Sequence, residues 1–75
     1  MSVATEPAVH LTPRRQQTLQ LVADGYTDRE IADQLDIGER TAITHVRELR
    51  WLLGARNRAH AVALGYELGL LGGAR

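Results

Sequence analysis

Seventy-five residues close a single core. With no cysteine, no phenylalanine and only Trp51, Tyr26 and Tyr66 as aromatics, that core is Leu, Ile, Val and Ala, without a disulfide or a thiolate metal site. Nine arginines balance nine acidic residues, yet the first 37 residues hold six acids and three arginines while the remaining 38 hold six arginines and three glutamates, so one side can face a polyanion without a basic whole.

The pattern predicts an all-α domain of four helices over residues 11–71, between a flexible arm at 1–10 and a frayed tail at 72–75. Residues 1–10 show no period and contain Pro7, hence the arm. Thr12-Pro13 is a hydroxyl cap followed by proline at the first helical position. From there Leu19, Val22 and Ala23 share one face, and Gly25 stops a helix predicted at Pro13–Asp24. Thr27-Asp28-Arg29-Glu30 reads as a capping box, threonine with glutamate three residues on. It opens a short helix at Asp28–Leu35, carrying Ile31, Ala32 and Leu35. Asp36-Ile37-Gly38 makes a tight turn with Ile37 as an apolar plug.

A third helix is predicted from Glu39 to Leu53, where Gly54 ends it. Ala42, Val46, Leu49 and Leu53 recur at helical spacing as its core stripe. Arg40, Thr44, Arg47 and Trp51 fall on the opposite side, flanked by Ile43 and Arg50. The wheel leaves Trp51 open. A slight rotation makes it a core residue; without one it forms an apolar patch with Leu52. Asn57 caps a fourth helix at Arg58–Leu68, apolar nearly all round, so one face packs inward and the rest needs a second cover.

A short capped helix, a brief turn and a longer helix with an arginine-bearing outer face make a helix-turn-helix, whose second helix enters the major groove. The wording of the chain is more specific than that pattern. Leu11-Thr12-Pro13-Arg14, Asp24-Gly25-Tyr26-Thr27-Asp28-Arg29-Glu30-Ile31-Ala32, Ile37-Gly38-Glu39-Arg40-Thr41, Thr44-His45-Val46, Leu53-Gly54-Ala55-Arg56-Asn57-Arg58 and Leu68-Gly69-Leu70-Leu71 follow one another without a gap over residues 11–71. Together they resemble the LuxR/FixJ-type DNA-binding domain, known in stand-alone form as GerE.

The resemblance implies a four-helix domain that binds double-stranded DNA, as a homodimer joined through its fourth helix. Ala61, Leu64, Gly65 and Leu68 are the expected dimer residues. Thr27, Arg29, Thr41 and His45 match positions that hold the phosphate backbone in the family. Arg40, Thr44 and Arg47 are expected at base edges, with Ile43 against a thymine methyl and Arg50 beside them. The chain departs from the family pattern at Arg15, Gly38, Ile43 and the pair Trp51-Leu52, where glutamate, serine, lysine and basic residues are usual. An arginine in a first turn opposes the helix dipole by about 0.3–1 kcal/mol. The changes at Ile43, Trp51 and Leu52 thin the phosphate-binding face.

No receiver or ligand-binding segment is read in these residues, so the first expectation is a stand-alone, cytoplasmic transcription regulator reading half-sites about 10 base pairs apart. The alternative is a protein-interaction module, in which Ile43, Trp51 and Leu52 bind another regulator or RNA polymerase. Catalysis finds no support: the only serine is Ser2, in the arm, and no glycine-rich phosphate loop follows a strand. His10, His45 and His60 lack metal-ligand spacing, so neither metal nor cofactor is expected. No apolar run reaches the roughly 18 residues of a membrane span, and no leader pattern opens the chain. A membrane partner is therefore not expected.

Overall fold

The computed structural model describes residues 9–72. They form four helices: α1 at Pro13–Ala23, α2 at Asp28–Leu35, α3 at Glu39–Leu53 and α4 at Arg58–Glu67. Each boundary has a local cause. Thr12 Oγ1 accepts the Arg15 N–H at 3.2 Å and Pro13 follows at the first helical position, which starts α1. At α2 both halves of the capping box form, with Thr27 Oγ1 accepting from Glu30 N at 3.1 Å and Glu30 Oε1 from Thr27 N at 2.9 Å. Asn57 Oδ1 accepts from His60 N at 2.8 Å and starts α4. Gly38 caps α3 with no side-chain hydrogen bond. Gly54 ends α3 in the left-handed region, φ 70°, where a side chain would be strained.

Helices α2 and α3 lie against each other across the turn at 36–38, which bends through Asp36 in the left-handed region, φ 58°. Ile37 plugs this turn against an apolar cluster of Val22, Ile31, Ala32, Ala42 and Val46. A second cluster joins Leu19, Leu49, Leu53 and Ala61 to Leu70 and Leu71, which fold back after α4. Val62 touches both clusters. Leu19, Ile31 and Leu49 are fully buried, each contributing roughly 1.5–3 kcal/mol of transfer free energy. Gln16 Nε2 donates to the Leu70 carbonyl at 2.5 Å and pins the returning segment to α1.

Three details depart from the expectations. Val9, assigned to the arm, is half-buried against the second cluster. The rest of the arm, residues 1–8, and the tail at 73–75 lie outside the described residues. Thr18 is fully buried although polar, because its hydroxyl donates to the Arg14 carbonyl one turn earlier at 2.8 Å. Arg15, unfavourable to the α1 dipole, extends instead to Glu48 of α3 at 3.5 Å, an exposed pair worth about 0–1 kcal/mol.

Candidate nucleic-acid interface

The orientation of α3 decides whether the domain offers a face to DNA. Ala42, Val46, Leu49 and Leu53 are all buried, so the aliphatic row anchors the helix inward. Arg40, Thr44 and Arg47 are exposed on the other side. Successive residues turn by about 100°, so these three fall within about 60° of one another and make one ridge. Neither Arg40 nor Arg47 has an ion pair or hydrogen bond among the described residues. A shallow recess between Glu39, Arg40, Ile43 and Arg47 lies on the same ridge. Two free guanidinium groups there can pair bidentately with guanine edges or phosphate.

The flanks supply the rest of the expected set. Thr41 is exposed at the first turn of α3 and His45 is half-buried beside it. Ile43 stands exposed next to Arg40 and Arg47. At the start of α2, Thr27 and Arg29 are exposed. The Thr27 oxygen serves as the helix cap, but its hydroxyl proton remains a donor for an anion. Backbone N–H groups at this helix start favour negative charge as well.

Arg50 and the four expected dimer residues make contacts inside the domain. Arg50 is half-buried, and its Nη2 donates to the Arg56 carbonyl at 3.3 Å. It braces the turn between α3 and α4 and is not a free member of the ridge. On α4, Ala61 and Gly65 are buried inside the domain, and a methyl on Gly65 would come within 2.8 Å of a Leu71 methyl. Leu64 and Leu68 are half-buried against the same cluster. These four residues therefore face the core. The returning Leu70-Leu71 segment needs the space that small side chains leave. The outward face of α4 is Ala59, Ala63 and Tyr66, all exposed, with half-buried Val62 at its edge.

Trp51 resolves as a surface residue, 80% exposed. It lies four residues beyond Arg47, in the ridge. Leu52 sits about 100° further round the helix, and Ile43 about 80° to the other side of Trp51. The three apolar side chains are thus spread over half the circumference of α3 and form no single patch. Arg58, which sequence reading placed only as a helix start, proves structural: Nη1 donates to Asp28 Oδ1 and Nη2 to the Tyr26 carbonyl, both at 2.7 Å. No periodicity signals this link, because it depends on tertiary placement.

No helix among the described residues is long and apolar enough to cross a membrane, and no group of three His, Cys, Asp or Glu side chains is placed to hold a metal ion.

Comparison with known proteins bears on the same residues. The family model described as bacterial regulatory proteins, luxR family, matches residues 9–64. The quorum sensing-dependent transcriptional regulator VjbR of Brucella ovis is 38% identical over 68 residues, 91% of this chain and 26% of VjbR. The solved structure of the transcription factor GerE superposes with a TM-score of 0.77 at 32% identity, covering 83% of this chain and 92% of GerE. VqmA of Vibrio cholerae, a LuxR-type receptor solved as a dimer in the absence of its target DNA, superposes with a TM-score of 0.78 at 25% identity, over 84% of this chain and 28% of VqmA. This chain spans about a quarter of the length of VjbR.

Proposed function

The chain belongs to the luxR family of bacterial regulatory proteins, and from that premise we propose that it regulates transcription by laying α3 in the major groove of double-stranded DNA. One observation carries the reading: α3 buries its aliphatic row and leaves Arg40, Thr44 and Arg47 outward with no partner among the described residues. In this arrangement Arg40, Thr44 and Arg47 meet base edges, and Ile43 meets a thymine methyl. Thr27, Arg29, Thr41 and His45 hold the phosphates on either side and set the register without reading sequence.

Two copies pair through α4, bringing two α3 helices to half-sites about 10 base pairs apart. The exposed face of Ala59, Ala63 and Tyr66 supports this, since an apolar helix face is uncovered and its alanines permit close approach. It lies on the other side of α4 from Ala61, Leu64, Gly65 and Leu68, the residues expected from the sequence. The regulator works in the cytoplasm, where bacterial DNA lies. A protein-interaction module is less well supported, because Ile43, Trp51 and Leu52 do not converge.

Selection of bound duplexes from a random pool, followed by titration of the selected duplex against salt, tests the reading. The expected result is an enriched inverted repeat and a linear fall of log K with log salt, each neutralised phosphate adding about 0.9 to the slope. Absence of binding to any duplex at low salt refutes it.

A further inference from the structure

Trp51 is the chain's one tryptophan and its most exposed large apolar side chain among the described residues, at 80%. Its indole N–H has no hydrogen-bond partner among those residues. Neighbouring apolar groups do not explain the exposure, since Ile43 and Leu52 point away from it around the helix. What it shares a line with is Arg40, Thr44 and Arg47.

Helical rise settles how far along that line it stands. Eleven residues separate Arg40 from Trp51, about 16 Å at 1.5 Å per residue. The major groove is about 12 Å wide. If the first turns of α3 occupy the groove floor, the turn bearing Trp51 meets the groove wall. That wall is deoxyribose and phosphate. An indole fits such a surface in two ways: its ring covers sugar C–H groups, and its N–H, a donor with no acceptor beside it, binds a phosphate oxygen. Arg40 and Arg47 stand exposed on the same ridge, so this is the face of α3 turned to the polyanion.

We propose that Trp51 is an uncharged backbone clamp, packing on the sugar–phosphate wall at the edge of the groove that α3 occupies. The proposal rests on the DNA-binding reading and adds a distinct physical signature to it. A cationic contact releases counterions and steepens the salt dependence; a neutral ring and an N–H donor add affinity without altering the slope. The contact carries no base readout, so its contribution is the same on every duplex sequence.

The experiment titrates a fluorescein-labelled 24-base-pair duplex of random sequence with wild type, Trp51→Ala, Trp51→Arg and Arg29→Ala across a salt series. The tryptophan emission of the wild type is followed in parallel on unlabelled duplex. Trp51→Ala is expected to weaken binding on the order of three- to tenfold with the salt slope unchanged. Trp51→Arg steepens the slope by about 1, and Arg29→Ala, which removes a phosphate contact, flattens it by about 1. Wild-type emission is expected to be quenched and shifted as duplex is added. If the wild type binds but Trp51→Ala binds equally well and the emission stays constant, the clamp is refuted while the DNA-binding reading stands; the exposed indole then awaits a protein partner. If the wild type binds no duplex at low salt, both fall. Because the side chain is exposed, Trp51→Ala leaves the core intact, which its thermal melt checks.

Discussion

The Arg58 Nη1 group donates to Asp28 Oδ1 at 2.7 Å, joining the first residue of α4 to the first residue of α2. Each side chain answers a problem of the other. A carboxylate at the start of α2 suits that helix's dipole but repels a phosphate approaching Thr27 and Arg29. A guanidinium at the start of α4 opposes its own dipole. Paired, the two charges offset, and the second Arg58 donor to the Tyr26 carbonyl fixes the turn that precedes the capping box. The proposed pairing helix and the proposed phosphate-holding helix start are thus tied by one side chain.

A double-mutant cycle with Arg58→Ala and Asp28→Asn should therefore show coupling of about 0.5–1 kcal/mol by urea denaturation. The pair is about one-third exposed on each side, so solvent screening keeps the figure in the range of partly exposed ion pairs. Simple additivity of the two substitutions would show that the bond contributes nothing.

Closeness of a different kind governs the far end of α4. A Cβ on Gly65 would lie 2.8 Å from Leu71 Cδ1 and 3.1 Å from Leu19 Cδ2. Gly65→Ala gains helix propensity but must displace the returning Leu71, and overpacking of this kind costs about 1–3 kcal/mol. The Leu71 methyl is the end of a flexible side chain, which favours the lower part of that range. Adding Leu71→Ala to Gly65→Ala should cost less than the two singles together, because the cavity from one receives the methyl of the other. Thermal melts of the three variants check this, and a stabilised Gly65→Ala single variant would contradict it.

Helix ends were legible from single residues. Thr12-Pro13, the Thr27 and Glu30 pair and Asn57 each act within one turn, so their chemistry appears in the sequence and in the structure at the same place. The α3 ridge was legible too, because aliphatic and charged residues alternate sharply around that helix. The rotation of α4 was not. Ala59, Ala61, Val62, Ala63, Leu64 and Tyr66 surround it almost evenly, so no periodic contrast marks the inner side. What chooses that side is Leu70-Leu71 folding back on Gly65 and Ala61, a contact beyond the helix itself. The contact of Arg50 was not legible for a related reason: its position on the wheel is near the ridge, but the Arg56 carbonyl lies within its reach.

The exposed α4 face makes a sharp prediction about assembly. Ala63→Glu places a charge in the middle of the exposed Ala59, Ala63 and Tyr66 surface without touching the core. It should abolish cooperative binding to an inverted repeat while sparing the melting temperature. Sedimentation of the protein with and without a two-site duplex measures this. A variant that still loads two copies cooperatively would remove α4 from the interface.

Arginines on the two helices should differ in kind. Arg40→Ala is expected to cost roughly 1–3 kcal/mol on the selected duplex and to relax preference at one base position. Arg29→Ala, at the phosphate-holding helix start, should weaken all duplexes alike and lower the salt slope by about 1. Competition titrations on matched and single-substituted duplexes separate the two. Equal losses on every sequence for both variants would take base readout away from Arg40.

Gly38 offers the opposite test, a gain. It caps α3 with φ −72° and ψ 155°, a conformation any residue adopts, yet contributes no side-chain hydrogen bond. A Cβ there meets nothing within 4 Å. Gly38→Ser supplies an oxygen for an orphan N–H of the first turn, worth a few tenths of a kcal/mol over glycine. It also restricts the unfolded chain, adding about 0.4–1 kcal/mol. Since the cap difference already contains part of that entropy, the prediction is stabilisation of about 0.3–1 kcal/mol, or a few degrees in Tm for a domain of this size. The residue sits one position before Glu39 and two before Arg40, so the orientation of the ridge is preserved and duplex affinity should hold. A melt unchanged or lowered by Gly38→Ser would mean that the new oxygen does not reach the first turn of α3 and that its N-terminal N–H groups are satisfied in some other way.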